Sequence, residues 1–213
     1  MFIRLEECGY FLRLDPEVWP TMFHGATVSE LELEQLRRID DVVRLGHVTR
    51  IDPDRVTLER GSLPSTPDTL FVDCSASAIT NLETKPIFEG DLITPQTVRS
   101  YQPVFSAAFI AHVELTRDTE EERNPLCGVV PLPNSNLDYM KLTLAFMTNL
   151  YNWGQDPELR QWLLNNRLDG FSKMVSEVSK DDDEKRAILK RLRQSSVPAA
   201  MRLTELIAEA EAA

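Results

Sequence analysis

The sequence predicts an α/β protein in which a strand-rich first part precedes an α-helical C-terminal region. Three observations support this class. Hydrophobic residues alternate with a period of two across residues 42–59, which is typical of strands. Capping residues, glycines and prolines divide residues 137–213 into about four helices. Hydrophobic residues make up 42% of the 213-residue chain, which is enough for a packed core.

The strand-rich part contains a capped helix followed by a hairpin. Ser29 and Glu32 form a capping-box pattern at the start of the helix. Residues 42–51 and 55–60 then alternate in hydrophobicity, and the Asp-Pro-Asp turn between them predicts a β-hairpin. Residues 61–67 are expected to be a loop.

A compact apolar run and a long helix are predicted next. Residues 70–72 (Leu-Phe-Val) lie between turn residues, as in a buried strand. Thr94 is expected to cap a helix with Pro95 in its first turn. The apolar spacing continues this helix to about residue 115, and Pro103 should kink or split it.

The C-terminal part is predicted to consist of helices. Asp156 is expected to cap one helix, and Gly154 and Gly170 to end two of them. The run Asp-Asp-Asp-Glu at 181–184 is interpreted as a solvated helix N-terminus, because negative charge there favours the helix dipole. The predicted spans are 137–153, 157–168, 182–194 and 198–212. Aromatic residues at helical spacing are expected to form the core between these helices: Tyr139, Phe146, Tyr151, Trp153 and Trp162.

Composition and charge exclude several classes of partner. The net charge of -11 opposes binding to nucleic acid or to an anionic membrane surface. The sequence has no apolar run long enough to cross a bilayer and no secretion-signal pattern, so a cytoplasmic location is expected. The three cysteines and three histidines are scattered, so neither a disulfide framework nor a metal site is predicted.

Two segments resemble bacterial FAD/NAD(P)-binding flavoprotein oxidoreductases and monooxygenases. The first is the meander of residues 42–59 followed by Thr-Leu-Phe-Val-Asp-Cys-Ser-Ala at 69–76. The second is Phe-Glu-Gly-Asp at 88–91, which is similar to the Gly-Asp motif of those proteins, followed by residues 94–114. The resemblance covers roughly residues 1–135.

The resemblance implies a partial Rossmann-like FAD/NAD(P)-binding domain at 1–115, a linker at 116–136 and an α-helical region at 137–213. It implies FAD as a cofactor and NAD(P)H as a second one. Asp91 would accept hydrogen bonds from the ribityl hydroxyls of FAD, and small residues would let the nucleotide approach. The implied cofactor-binding residues are Ser75, Ala76, Gly90, Asp91, Thr94 and Gln96.

The sequence departs from this family at one motif. It has eight glycines but no G-x-G-x-x-G, the turn whose backbone amides receive the pyrophosphate. We therefore expect a truncated or C-terminal portion that binds flavin weakly or only when a missing segment completes it. The alternative is a non-catalytic assembly subunit that has lost the cofactor. In either case a partner chain or a second copy would cover the exposed sheet. The substrate is unknown.

Individual residues of these segments also have simpler interpretations. Asp91 has the alternative role of an ordinary turn residue. Asp73 is interpreted as a carboxylate bonded to nearby backbone amides, and Cys74 as a small core residue. His112 is expected to bond a neighbour from a half-buried face. No catalytic residue is assigned, because no nucleophile, base and orienting acid occur together in a recognisable pattern.

Overall fold

The computed structural model describes residues 1–22, 27–75 and 83–212, which combine α-helices with antiparallel strands. The mixed α/β class is therefore confirmed, while a Rossmann-like arrangement stays a prediction. The helices are α1 Phe2–Glu7, α2 Glu30–Leu36, α3 Pro103–Thr116, α4 Glu120–Arg123, α5 Asn136–Gln155, α6 Pro157–Asn165, α7 Gly170–Ser176 and α8 Asp183–Glu211. The strands are β1 Val48–Asp52, β2 Arg55–Leu58, β3 Gly61–Pro64, β4 Phe88–Glu89 and β5 Leu92–Ile93. Within this part of the chain, no helix is both long and apolar enough to span a membrane.

The chain packs as two compact units. The first unit comprises Met1–Trp19 and Thr27–Asn81, and the second comprises Pro20–Ala26 and Leu82–Ala213. Strands β1 to β3 belong to the first unit, and the β4–β5 hairpin and helices α3 to α8 belong to the second. These two units are defined by packing alone, so the predicted division into a cofactor-binding domain, a linker and a helical region stays a prediction.

The first unit contains an antiparallel meander in the order β1-β2-β3. The predicted hairpin is confirmed, with Ile51 opposite Val56. The predicted first strand was too long, because the ladder begins only at Val48. The first four residues of the expected loop, 61–64, instead form the strand β3, in which Leu63 lies opposite Val56, and residues 65–67 are not strand. Residues 61–64 form a strand because they satisfy the backbone groups on the edge of β2 that β1 does not cover.

The predicted capping box at α2 is confirmed. The Ser29 hydroxyl accepts from the backbone amide of Glu32, and the Glu32 carboxylate accepts from the backbone amide of Ser29 at 2.8 Å. Helix α2 buries Leu33, which is 6% exposed. This helix start was predictable because every partner lies within one turn.

The prediction of a buried strand at residues 70–72 was wrong. These residues form no strand, and Leu70 and Val72 are 86% and 73% exposed. Cys74, expected in the core, is also exposed. Among the residues that the structure describes, no strand pairs with this run, and Leu70 and Val72 therefore stay largely exposed.

In the second unit, the first long helix follows the β4–β5 hairpin and begins later than predicted. Residues 94–102 are not helical, so Thr94 and Pro95 do not start a helix. Helix α3 starts at Pro103, with Gln102 as its N-cap. Proline is favoured in the first turn because its missing N–H is not needed there. Pro103 therefore begins the helix that it was expected to kink.

The core of the second unit forms where α3, α5 and α6 meet the β4 strand. Phe109 lies at the centre of an aromatic group. Its ring centre is 4.5 Å from the ring centre of Trp153 and 5.6 Å from that of Trp162. The predicted burial of Trp153 and Tyr139 is confirmed, but Tyr151 is 58% exposed. The cluster comprises Ile87, Phe88, Val98, Phe105, Phe109, Ile110, Val113, Cys127, Trp153, Leu159 and Leu163.

The tail helices follow the predicted caps but not every predicted end. Asp156 caps α6 as expected, accepting from the amides of the next turn. Gly154 lies within α5, and Gly170 begins α7 instead of ending a helix. The expected break before Pro198 is absent, because α8 runs through it at the loss of one backbone hydrogen bond. Lys141 and Glu211 form a 2.6 Å ion pair between α5 and α8.

Candidate functional site

The predicted Gly-Asp motif forms the two-residue turn of the β4–β5 hairpin. Gly90 has a φ of +58°, a left-handed conformation that favours glycine. Asp91 follows it and is exposed. In the described part of the chain, no hydrogen bond or ion pair engages its carboxylate, which is therefore free to accept bonds from a ligand.

Side chains from α4 and the following residue hold this hairpin in place. The side-chain amide of Asn124 accepts a hydrogen bond from the backbone amide of Phe88 at 3.1 Å and donates one to the carbonyl of Phe88 at 2.9 Å. The backbone amide of Gly90 donates to the Glu120 carboxylate. The predicted linker thus contains a short helix that fixes the turn carrying Asp91.

Two other predicted cofactor residues have internal partners. The backbone amide of Thr94 donates to the Ile87 carbonyl at 2.8 Å. The Gln96 side chain accepts from the backbone amide of Lys85 and donates to its carbonyl. Gln96 would have to give up both bonds to contact a cofactor, so its present role is to pair with the backbone of Lys85.

Ser75 lies in the first unit and bonds its own neighbour. Its backbone amide and hydroxyl donate to Asp73 at 2.8 and 2.6 Å. These bonds confirm the interpretation of Asp73 as a carboxylate bonded to local backbone, and the Ser75 hydroxyl and amide hold the pKa of Asp73 below its ordinary value. Ala76 lies outside the described residues.

A pocket of about 500 Å³ lies in the second unit, between the start of α3 and the start of α7. Of the predicted cofactor residues that the structure describes, none lines it. Its lining is mainly apolar, with a guanidinium and a carboxylate among the polar groups. The lining includes Arg99, Tyr101, Phe105, Leu168, Asp169 and Phe171.

Arg99 is the unusual residue of this pocket. Its side chain is only 6% exposed, and Nη1 lies 2.9 Å from Oδ1 of Asp169. In the described part of the chain, Nη1 has only this ion pair, and the buried Nε has no hydrogen-bond partner. The guanidinium carbon lies 4.9 Å from the ring centre of Phe105. Buried guanidinium donors are usually satisfied, so a buried Nε without a hydrogen-bond partner, on a residue that lines a pocket, is a candidate contact point for a ligand.

Asp169 supplies the negative charge beside Arg99 and also caps α7. Its carboxylate accepts from the amides of Phe171 and Ser172 at 3.1 and 3.2 Å and from the Ser172 hydroxyl at 2.6 Å. Burial acts to raise the pKa of Asp169, but the Ser172 bonds and the Arg99 charge outweigh it and hold the pKa below its ordinary value. The carboxylate is therefore ionised at neutral pH and balances the charge of Arg99.

The backbone around Arg99 is fixed from two sides. The buried Asn149 donates to the carbonyls of Val98 and Gly128 at 2.8 and 2.6 Å. The amide of Val98 donates to the Ser106 hydroxyl at 3.2 Å. Tyr101, at the pocket, has a φ of +54°, which is uncommon for a residue with a side chain.

Other titratable residues of the second unit are part of its packing. The His112 ring stacks on Trp162 at 4.7 Å, and burial together with the Arg117 charge lowers the pKa of His112. Burial raises the pKa of the Cys127 thiol to about 12, so it is not a nucleophile at neutral pH. Over the described ranges, no group of histidine, cysteine and acidic residues has the arrangement of a metal site.

The sequence-based reasoning missed Arg99 and Asp169. They are seventy positions apart, so no local pattern joins them. One signal was present, because Arg99 follows Val98 in a segment between a strand and an apolar helix, where a charge needs a partner. The identity of that partner was not predictable from the sequence alone.

Three curated relatives match this chain at 46% identity over 179 residues. They are uncharacterized protein Rv2000 of Mycobacterium tuberculosis strain H37Rv, MT2056 of M. tuberculosis strain CDC 1551 and Mb2023 of Mycobacterium bovis. The aligned residues are 84% of this chain but only 33% of each relative, so the chain spans about a third of their length. No protein-family model and no solved structure matches it significantly.

Proposed function

We propose that this chain is part of an FAD- and NAD(P)H-dependent oxidoreductase-like protein whose cofactor site is completed by another polypeptide segment. The observation that carries the proposal is the Gly-Asp turn, in which Asp91 offers an unengaged carboxylate on a fixed hairpin. A carboxylate in that position can accept hydrogen bonds from the hydroxyls of a ribityl chain.

The length of the relatives supports this proposal. This chain matches about a third of each relative, and the remainder has room for the glycine-rich turn that a dinucleotide requires. In the proposal, a Rossmann-like domain forms only when the segment with that turn joins the strands of this chain.

The exposed apolar run at residues 70–72 also supports completion by another segment. A run of three large apolar residues rarely remains uncovered in a functional protein. Strand addition would bury these side chains and satisfy the backbone of the run at the same time.

The described residues fit FAD in part. Asp91 fits a contact to the ribityl hydroxyls, whereas Gln96 and Ser75 are already bonded to Lys85 and Asp73. When bound, FAD would supply hydride acceptance and transfer. This chain would hold and orient the cofactor, and we assign it no catalytic residue.

Flavin binding by matched variants tests the proposal. We would titrate FAD into the chain and into a longer form, a chimera in which this chain replaces the matching third of Rv2000, for wild type, Asp91→Asn and Glu89→Gln. Glu89 is an exposed acid on the same hairpin. We expect the longer form to bind FAD, Asp91→Asn to weaken binding about tenfold or more, and Glu89→Gln to match wild type. A longer form that binds no flavin would refute the proposal.

The second candidate is a non-catalytic assembly subunit. The exposure of Leu70 and Val72 favours it, because these residues require a covering surface whether or not a cofactor binds. Light scattering across a range of protein concentrations tests it. This candidate requires a colourless protein that self-associates, and a monomeric flavin-bound form would exclude it.

A further inference from the structure

The pocket beside Arg99 has the composition of a small-molecule site. Its walls include the apolar side chains of Phe105, Leu168 and Phe171, and its volume is about 500 Å³. Sites for small molecules combine mostly apolar walls with a few polar groups that fix orientation. Here the guanidinium of Arg99 can provide that orientation, because its Nε lacks a hydrogen-bond partner within the described residues and its Nη1 is held only by the ion pair with Asp169.

The charges around Arg99 indicate the kind of group that it would bind. Asp169 lies 2.9 Å from the guanidinium and is ionised, so the pair has no net charge. A second anion that reached Arg99 would also lie close to the Asp169 carboxylate and be repelled by it. The chain as a whole carries a charge of -11 and adds to that repulsion. A neutral acceptor, such as a carbonyl oxygen, avoids this cost.

The aromatic residues indicate the shape of the ligand. Arg99 lies over the Phe105 ring at 4.9 Å, and Tyr101 and Phe171 also line the pocket. A planar ring can contact such side chains while an attached carbonyl points toward the guanidinium.

We propose that this pocket binds a small, neutral, planar molecule whose carbonyl oxygen accepts hydrogen bonds from Arg99. The proposal does not depend on flavin binding at Asp91, since no residue of the Gly-Asp hairpin lines the pocket. Arg99 acts as the hydrogen-bond donor, Asp169 balances its charge, and the apolar walls hold the ring.

Two nearly isosteric probes test the proposal. Benzamide offers a neutral carbonyl and benzoate offers an anion on the same ring, and ligand-observed NMR titration would measure both. For a fragment of this size we expect a benzamide dissociation constant on the order of 1 mM. We expect benzoate to bind about tenfold more weakly or worse.

Variants then locate the binding site. Arg99→Lys keeps a positive charge beside Asp169 but removes the planar donors, and should weaken benzamide binding about fivefold or more. Phe171→Ala removes an apolar wall from a side chain that is 53% exposed, so it provides a second test with little risk to folding. Arg160→Lys, at an exposed position on α6, is the matched control and should bind as wild type.

Three outcomes would overturn the proposal. Benzoate that binds as tightly as benzamide would make the site an anion site. Unchanged benzamide binding by both Arg99→Lys and Phe171→Ala would place the probe elsewhere. Absence of saturable benzamide binding up to about 10 mM would mean that the pocket does not take this class of ligand.

Discussion

Arg99 and Asp169 form an ion pair whose side chains are only 6% and 1% exposed. Removing both charges from water is costly, and the mutual attraction compensates only when both partners remain. Asp169 has a second role because its carboxylate caps α7. One side chain therefore both balances a buried charge and starts a helix, so its loss should affect stability twice.

Asp169→Asn should lower the free energy of unfolding by about 3 kcal/mol, because it leaves Arg99 buried without a counter-charge. Urea unfolding at neutral pH measures the change. Asp182→Asn is the matched control, since Asp182 caps α8 by the same kind of bond at a more exposed position. The control should lose less stability, and equal losses would argue against a special role for the buried pair.

The lowered pKa of Asp169 also predicts how stability depends on pH. A carboxylate whose pKa is lower in the folded state stabilises the protein above its ordinary pKa, and this contribution is lost as the pH falls through the folded value. The stability difference between wild type and Asp169→Asn should therefore shrink below about pH 4. A difference that stayed constant down to about pH 2 would contradict the assignment.

At the scale of elements, Asn149 connects α5 to two backbone segments. Its amide donates to the carbonyls of Val98 and Gly128, and the residue is 2% exposed. Asn124, the residue after α4, similarly holds the β4–β5 hairpin through two hydrogen bonds to the backbone of Phe88. In the second unit, the side-chain amides of Asn149 and Asn124 thus satisfy backbone groups that strand pairing would satisfy in a larger sheet.

Asn149→Leu should cost about 3 kcal/mol, because a side chain of similar size would leave two carbonyls without donors. Asn152→Leu, on the same helix, is the matched control: it removes one bond, to the carbonyl of Pro125, at an exposed site. We expect a loss below about 1 kcal/mol there. Thermal or urea unfolding of both variants makes the comparison, and similar losses would show that the Asn149 bonds are unimportant.

The elements predicted correctly from the sequence are those whose determinants are local. Ser29 and Asp156 cap their helices through amides within three residues. Thr94 has the same local signal, but its backbone amide donates to the Ile87 carbonyl and extends the hairpin. The helix therefore begins only at Pro103. The predicted helix start at Thr94 was wrong because this hydrogen bond to Ile87, outside the capping turn, replaces the local capping bond.

The elements predicted wrongly depend on partners distant in sequence. The run at residues 70–72 has the composition of a buried strand, but burial requires a partner strand that the described chain lacks. The pair of Arg99 and Asp169 was missed because its members are seventy positions apart in the sequence. The candidate pocket was therefore unpredictable, while the Gly-Asp turn was recognisable from adjacent residues.

At the scale of the whole molecule, the exposed apolar run predicts a difference between this chain and a longer form. Leu70→Lys should change the stability of this chain by less than about 0.5 kcal/mol, because Leu70 is 86% exposed. In a form where another segment covers the run, the same change should cost about 2 kcal/mol or more. Urea unfolding of both forms measures the contrast.

Leu31→Lys provides the control for that comparison. Leu31 is also in the first unit and is 74% exposed, so the substitution should be nearly neutral in this chain. If Leu70→Lys were as harmless in the longer form as in this chain, the run would not be a covered surface there.

The positions of the tryptophans allow each packing unit to be observed optically. Trp19 lies in the first unit and is 41% exposed, whereas Trp153 in the second unit is 1% exposed. Trp162, the third, also belongs to the second unit. Replacing Trp19 with phenylalanine leaves fluorescence emission that arises only from the second unit. A shift of that emission toward longer wavelength then reports when solvent enters the core around Phe109, independently of any event in the meander.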